Sequence, residues 1–219
     1  MTVDFDGTLY QGNSFKAMFQ AGKEKFTKKQ WFQFGSSLAK ASFIGLAKGK
    51  TAFHHEFFKA FARTFEGMTN AELDEFFKEL VELGMKEVHL NLVNQVRQHQ
   101  EAGDTVLILS GTLQPFLRLF VKELDLDVRV ISTELLFDEN GKCTGEIGII
   151  INGQEKVNKI RAWMDEISSN EGQELGEIWA YADSESDIPL LDFVHRPVVV
   201  NPGPNMKKVA EEKQWPIFA

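Results

Sequence analysis

Met1-Thr2-Val3-Asp4-Phe5-Asp6-Gly7-Thr8-Leu9-Tyr10 opens the chain with a short β-branched run, two carboxylates one residue apart, a glycine, a threonine and an apolar pair. The pattern reads as a strand that ends in a charged turn. In an open α/β sheet, ligands collect outside the carboxyl ends of the strands, so Asp4 and Asp6 are expected at the mouth of a crevice. Gly7 permits the bend that brings the second carboxylate round over the first. Two carboxylates this close repel unless a cation lies between them or one keeps its proton. Mg²⁺ suits one or two carboxylates plus a phosphate.

Working outward, 219 residues leave room for one large domain or a domain with a modest insertion. The chain has no apolar run of membrane-spanning length and no signal-peptide pattern, which points to a soluble, cytoplasmic protein. A single cysteine, Cys143, allows no internal disulfide. The net charge of −8 disfavours nucleic acid as a partner. That charge is uneven: residues 13–85 carry 11 Lys/Arg against 8 Asp/Glu and hold 13 of the 19 Phe, so two regions of different character are expected.

Residues 13–85 read as helices only. Ser14 is placed to cap a short helix ending at Ala21-Gly22, Thr27 to Gln30 has capping-box spacing, and Thr69 to Glu72 caps another helix. Phe53, Phe57, Phe58, Phe61 and Phe65 recur at helical spacing and are expected mostly in the core of a small bundle. After Gly84 helix and strand alternate. A helix through Leu92 to Val96 precedes a strand over 105–109 that ends in Ser110-Gly111-Thr112, and Pro115 opens the next helix. A strand over 128–131 is followed by a hairpin spanning 134–151 about Asp138 to Gly141. Then come a helix from Lys156, strands over 178–182 and 198–200, and a last helix before Trp215-Pro216-Ile217. This alternation predicts a Rossmann-like, mainly parallel α/β sheet with helices on both faces, plus an inserted all-α unit. The boundaries expected are 1–12 with 86–219 for the core and 13–85 for the insert.

Three predicted strands thus end in reactive groups, Asp4/Asp6, Ser110 and Asp183/Asp187, and Lys156 completes a candidate site. The order of these motifs resembles the haloacid dehalogenase-like hydrolase superfamily over nearly the whole chain. Asp4 to Leu9 matches its first motif, Ser110 to Thr112 its second, Lys156 after Gly153 its third, and Asp183-Ser184-x-x-Asp187 its fourth. The helical stretch lies where the family carries a cap. The hairpin and Asn201-Pro202 resemble the phosphoserine-phosphatase-like branch.

The resemblance implies a phosphatase acting on a small phosphorylated substrate through an aspartyl-phosphate intermediate. Asp4 is then the nucleophile and Asp6 the acid and base, while Ser110, Gly111 and Lys156 hold the phosphoryl oxygens. Mg²⁺ is bound by Asp4, the main-chain carbonyl of Asp6 and Asp183, with Asp187 orienting a metal-bound water. Lys159 is the fallback for the third motif. Asn13, Phe15 and Phe19 are candidates for substrate specificity. Asn13 stands nine residues after Asp4, where phosphoserine phosphatases carry a glutamate for the substrate's amino group, which argues against phosphoserine. Ala182 stands where the family usually has glycine and requires a backbone without positive φ. Only three residues precede Asp4, so a short central strand and a few residues upstream of Met1 are expected.

Other readings stay open at this point. A phosphorylation-switched receiver module uses similar groups, and a mutase would pass the phosphoryl group to a second hydroxyl. From Asn13 to Arg63 ten basic residues face two acidic ones, interleaved with aromatics. That mixture would suit peripheral contact with an anionic membrane or a phospholipid headgroup, although a solvated basic face over an aromatic core explains it as well. His54 and His55 are adjacent and point about 100° apart on a helix, so they form a poor metal pair. They read as surface of the insert or rim of the site. Cys143 has no base partner and receives no catalytic part.

Overall fold

The computed structural model describes the backbone of residues 1–48, 50–171 and 176–219; the side chains of 40, 41, 43–45, 47, 48, 50, 51, 54, 170 and 171 lie outside the description. In chain order β1 (Thr2–Asp4) is followed by α1 (Ser14–Lys25), α2 (Lys28–Lys48), α3 (Lys50–Arg63) and α4 (Asn70–Gly84). Then come α5 (Leu90–Glu101), β2 (Leu107–Leu113), α6 (Gln114–Glu123), β3 (Arg129–Thr133), β4 (Leu135–Phe137) and β5 (Cys143–Ile147). The rest is α7 (Gln154–Glu171), β6 (Trp179–Ala182), α8 (Ile188–Phe193), β7 (Arg196–Val200), α9 (Pro204–Lys213) and β8 (Ile217–Phe218).

Six strands form one parallel sheet in the order β3-β2-β1-β6-β7-β8. The three-residue β1 lies inside it, with Thr2 opposite both Leu107 of β2 and Ala180 of β6. Parallel strands joined by helical crossovers bury both faces, and the side chains divide accordingly. Val3, Ile108, Tyr181, Val198 and Val200 face the aromatic core shared with α4, α5 and α6. Leu109, Ala180, Ala182 and Val199 face a second core with α7, α8 and α9. After α9, where no strand was expected, Ile217 and Phe218 pair with β7 as the edge strand.

Local signals placed most elements. Thr69 and Glu72 form a reciprocal capping box, Thr27 and Gln30 exchange equivalent bonds, and Pro115 lies in the first turn of α6. Ser14 does not cap α1. Asn13 does so by accepting from Lys16 N at 3.0 Å, and the helix runs through Gly22 to Lys25. Ala182 lies in β6, and non-glycine positive φ among the described residues occurs only at Asp125, Asn201 and Gln214.

Most described phenylalanines of the helical stretch form its core. Phe61 is fully buried, with its ring against those of Phe26, Phe34, Phe57, Phe65 and Phe76. Phe65 and Phe77 carry this cluster on to Phe116 of α6, so the aromatic core is continuous with the sheet. Phe32, by contrast, is 80% exposed on α2. The β4–β5 hairpin forms a separate two-stranded sheet. It joins the helical stretch through main-chain bonds from Gly67 N to Cys143 O and from Cys143 N to Met68 O, each 2.8 Å. No helix among the described residues is long and apolar enough to cross a membrane.

Truncating Phe61 to Ala leaves a hole among five rings and is expected to cost about 3–5 kcal/mol in denaturant unfolding. Because one core links the helices to the sheet, loss of helical signal and loss of tryptophan signal should coincide in that titration.

Candidate active site

The sheet positions the site. β1, β2 and β6 run parallel and side by side, so Asp4 at the end of β1, Ser110 within β2 and Asp183 just after β6 emerge on one edge. The register of β2 against β3 breaks between Ser110 and Leu113, a local irregularity that re-aims side chains where the strand leaves the ladder. α7 starts at Gln154 after Gly153, which has φ +54°, and its first turn delivers Lys156 beneath the strand ends.

The Lys156 ammonium is buried and donates to Asp4 Oδ1 at 2.6 Å and Asp187 Oδ1 at 2.5 Å. Asp187, at the end of a short 3-10 turn over Glu185–Asp187, also accepts from Ser184 Oγ at 3.0 Å. Thr8 Oγ1 lies 3.4 Å from Asp4 Oδ2 and 3.2 Å from Asp183 Oδ1, placed to donate to one of them. Gly7, at φ +78°, brings the backbone so close that a Cβ there would run into Asp183 Oδ2. The loop between β1 and α1 therefore needs glycine both for its conformation and for room.

Carboxylate oxygens of Asp4, Asp183 and Asp187 all lie within 4.8 Å of one another. Three carboxylates share one ammonium, so the cluster is short of positive charge. Burial pushes the Asp4 carboxyl well above the usual range, Lys156 opposes this, and the charges of Asp187 and Asp183 add to it. Asp183 is pushed up to about 6 by burial and then by Asp187, with the Thr8 hydroxyl pulling the other way. Burial alone would lower the Lys156 ammonium, yet Asp187 and Asp4 together hold it above its ordinary value, so it stays charged. An all-oxygen donor set with surplus negative charge fits a hard divalent cation.

Asp6 is arranged differently. Its carboxylate accepts from Ser14 N at 2.5 Å and Ser14 Oγ at 2.6 Å, at the first turn of α1. It stands outside the group of three acids. Burial raises the Asp6 carboxyl, and the two bonds from Ser14 partly counter this.

The cluster opens into a cavity of about 470 Å³ lined by Asp4, Asp6, Asp183 and Asp187, by Ser110, Gly111, Thr112 and Lys156, and by Asn13, Ser14, Phe15, Lys16 and Phe58 from the helical stretch. Asn152 and Ser186 also line it. Ser110 Oγ accepts from Thr112 N at 3.1 Å, which leaves its own proton available to an acceptor. Thr112 is buried and its Oγ1 has no partner among the described residues, an arrangement that costs roughly 1–3 kcal/mol unless something pairs with it.

Several expectations are resolved here. Lys156, not Lys159, meets the acids: Lys159 lines a separate cavity with Trp163 and Glu166. Asn13 and Phe15 line the site, whereas Phe19 packs against Phe34 and Phe57. His55 is half-buried on α3, and the side chain of His54 lies outside the described residues. Cys143 is buried in the hairpin, where burial raises its thiol. Ser14, Thr112, Phe58, Lys16 and Asn152 line the cavity without having been assigned a role in the site from the sequence. Thr8 adjoins Asp6-Gly7 and was open to such a reading; Phe58 is hidden in a stripe of phenylalanines, and nothing local marks Ser14 as a partner of Asp6.

Residues 2–192 match the haloacid dehalogenase-like hydrolase family, and the chain belongs to that family. A histidinol-phosphatase of Neisseria meningitidis is 36% identical over 124 residues, covering 56% of this chain and 55% of that protein. The chain thus spans about half the length of the first curated relatives it matches. A phosphoserine phosphatase of Mycobacterium tuberculosis is 27% identical across 98% of this chain and 68% of its own length. A solved structure of unknown function from Bordetella pertussis superposes with a TM-score of 0.79 at 22% identity, over 100% of this chain and 96% of that one, and shares the fold.

A protonated Asp183 has consequences for stability. Its folded-state pKa of about 6 lies above the unfolded value of 3.8, so the folded form binds more protons between those limits. Stability from this group is therefore lost as pH rises through that window unless a cation takes the proton's place. The gap between melting temperatures in Mg²⁺ and in EDTA is expected to be wider near pH 7 than near pH 5, and to collapse in Asp183→Asn. An equal gap at both pH values would contradict the arrangement.

Proposed function

We propose that this chain is a Mg²⁺-dependent phosphatase that hydrolyses a small phosphomonoester through an aspartyl-phosphate. The observation that carries this reading is the convergence of Asp4, Asp183 and Asp187 around the buried Lys156 at the carboxyl edge of the sheet. Family membership supports hydrolase chemistry, and the phosphatases among its relatives support a phosphoryl substrate.

Asp4 has one carboxylate oxygen held by Lys156 and the other near the Thr8 hydroxyl, and the residue lines the cavity. An ionised carboxylate needs no base before it attacks phosphorus. The bond from Asp4 to phosphorus forms as the ester bond to the substrate oxygen breaks, and that oxygen takes its proton from Asp6. Water then attacks the acyl phosphate and gives its proton to Asp6, which releases phosphate and restores Asp4. Ser110 and the backbone at Gly111 line the side of the cavity where phosphoryl oxygens would be held, with Lys156 offsetting their charge. Asp4, the Asp6 carbonyl and Asp183 would hold Mg²⁺, which neutralises charge on the phosphoryl group when bound, while Asp187 fixes Lys156 and the surrounding acids.

Multiple turnover of p-nitrophenyl phosphate with Mg²⁺ is expected, and Asp4→Asn should lower kcat by about 10³-fold or more. A stable, stoichiometric phosphoprotein would instead indicate a phosphorylation-switched module, and a phosphorylated alcohol product would indicate transfer. Ser14→Ala removes one of two bonds that favour ionised Asp6. The limb of the pH–rate profile set by Asp6 should move to higher pH, with kcat down by about tenfold.

A further inference from the structure

We propose that the preferred substrate carries a second anionic group on its alcohol portion, a carboxylate or a second phosphate, held on the side of the cavity formed by the helical stretch. The inference rests on the phosphatase reading and specifies the substrate class of the same site.

The two walls of the cavity differ in chemistry. All four carboxylates that line it belong to the sheet edge and its loops, and each is already engaged: Asp4 and Asp187 with Lys156, Asp183 near Thr8, and Asp6 with Ser14. The helical stretch contributes Asn13, Ser14, Phe15, Lys16 and Phe58, with no acid among them. Asn13 accepts from Lys16 N through Oδ1, so the polar face it has left is its pair of amide N–H donors. Lys16 is exposed at the rim, and Asn152 adds a second amide opposite. A substrate whose phosphoryl group lies against Ser110 and Lys156 therefore presents the rest of its structure to amide donors, an ammonium group and two aromatic rings.

An ammonium group on the substrate would find no counter-charge among those five residues, whose one charged member is the cation Lys16. A carboxylate or phosphate would find the Lys16 ammonium at the rim and the amide N–H donors of Asn13. Phe15 and Phe58, whose rings meet edge to face at 6.3 Å, leave a short carbon linker as the fitting spacer between the two anions.

Three phosphonates of equal length separate the possibilities without depending on turnover: 3-phosphonopropionate, propylphosphonate and 3-aminopropylphosphonate, titrated into the full chain with Mg²⁺. The carboxylate compound should bind about tenfold more tightly than the other two, and the advantage should shrink at high salt. Lys16→Ala should cut that advantage to about threefold or less, and Lys16→Arg should preserve it. Equal or tighter binding of the amino compound, an unchanged ranking in Lys16→Ala, or no binding of any of the three would overturn the inference. Turnover of p-nitrophenyl phosphate without a carboxylate preference overturns only this inference. A carboxylate preference without turnover of any phosphate overturns the phosphatase reading and leaves the recognition intact.

Discussion

The Lys156 ammonium, buried between Asp4 and Asp187, is the contact on which the arrangement depends. Taking a charge out of water is costly, and removing one member of such a group strands the others without compensation. The three residues lie 152 and 31 positions apart in sequence, and the sheet places their elements together. β1 must lie beside β6, the chain must turn after Ala182, and α7 must begin directly after Gly153 for the ammonium to reach both carboxylates. Each condition is met by backbone geometry rather than by flexible side chains, which keeps the acids close despite their repulsion.

That same repulsion leaves the site with an excess of negative charge. One ammonium cannot neutralise three carboxylates, and burial together with their mutual repulsion pushes both Asp4 and Asp183 toward their protonated forms. A proton or a divalent cation can relieve the excess. Gly7 and Thr8 hold the β1 loop against Asp183, so the loop that carries Asp6 is tied to the same cluster.

The helical stretch reaches the chemistry through Ser14. By donating twice to Asp6, the first turn of α1 fixes the one acid that stands apart from the other three. At its other end the stretch is tied to the hairpin by the paired main chains of Gly67, Met68 and Cys143, and to the sheet by the aromatic core. The Phe-rich composition thus serves mainly to pack the helices, and among the described residues Phe15 and Phe58 are the rings that line the cavity.

The sequence by itself determined the alternation of helix and strand, the helical stretch and the strand ends at Asp4 and Asp183, because periodicity, caps and turn residues are local signals; the strand expected to stop before Ser110 instead runs on to Leu113. It also pointed to Lys156, through the order of motifs and not through any property of that lysine's neighbours. Only the tertiary structure decided that Lys156 rather than Lys159 meets the acids, that Ser14 grips Asp6 while Asn13 caps α1, that Ile217 and Phe218 close the sheet, and that Phe58 faces the cavity while Phe19 does not. Residues three apart on a helix, or neighbours in an aromatic stripe, look alike along the chain. Their roles differ by the direction in which each side chain leaves its element, and packing between distant segments fixes that direction.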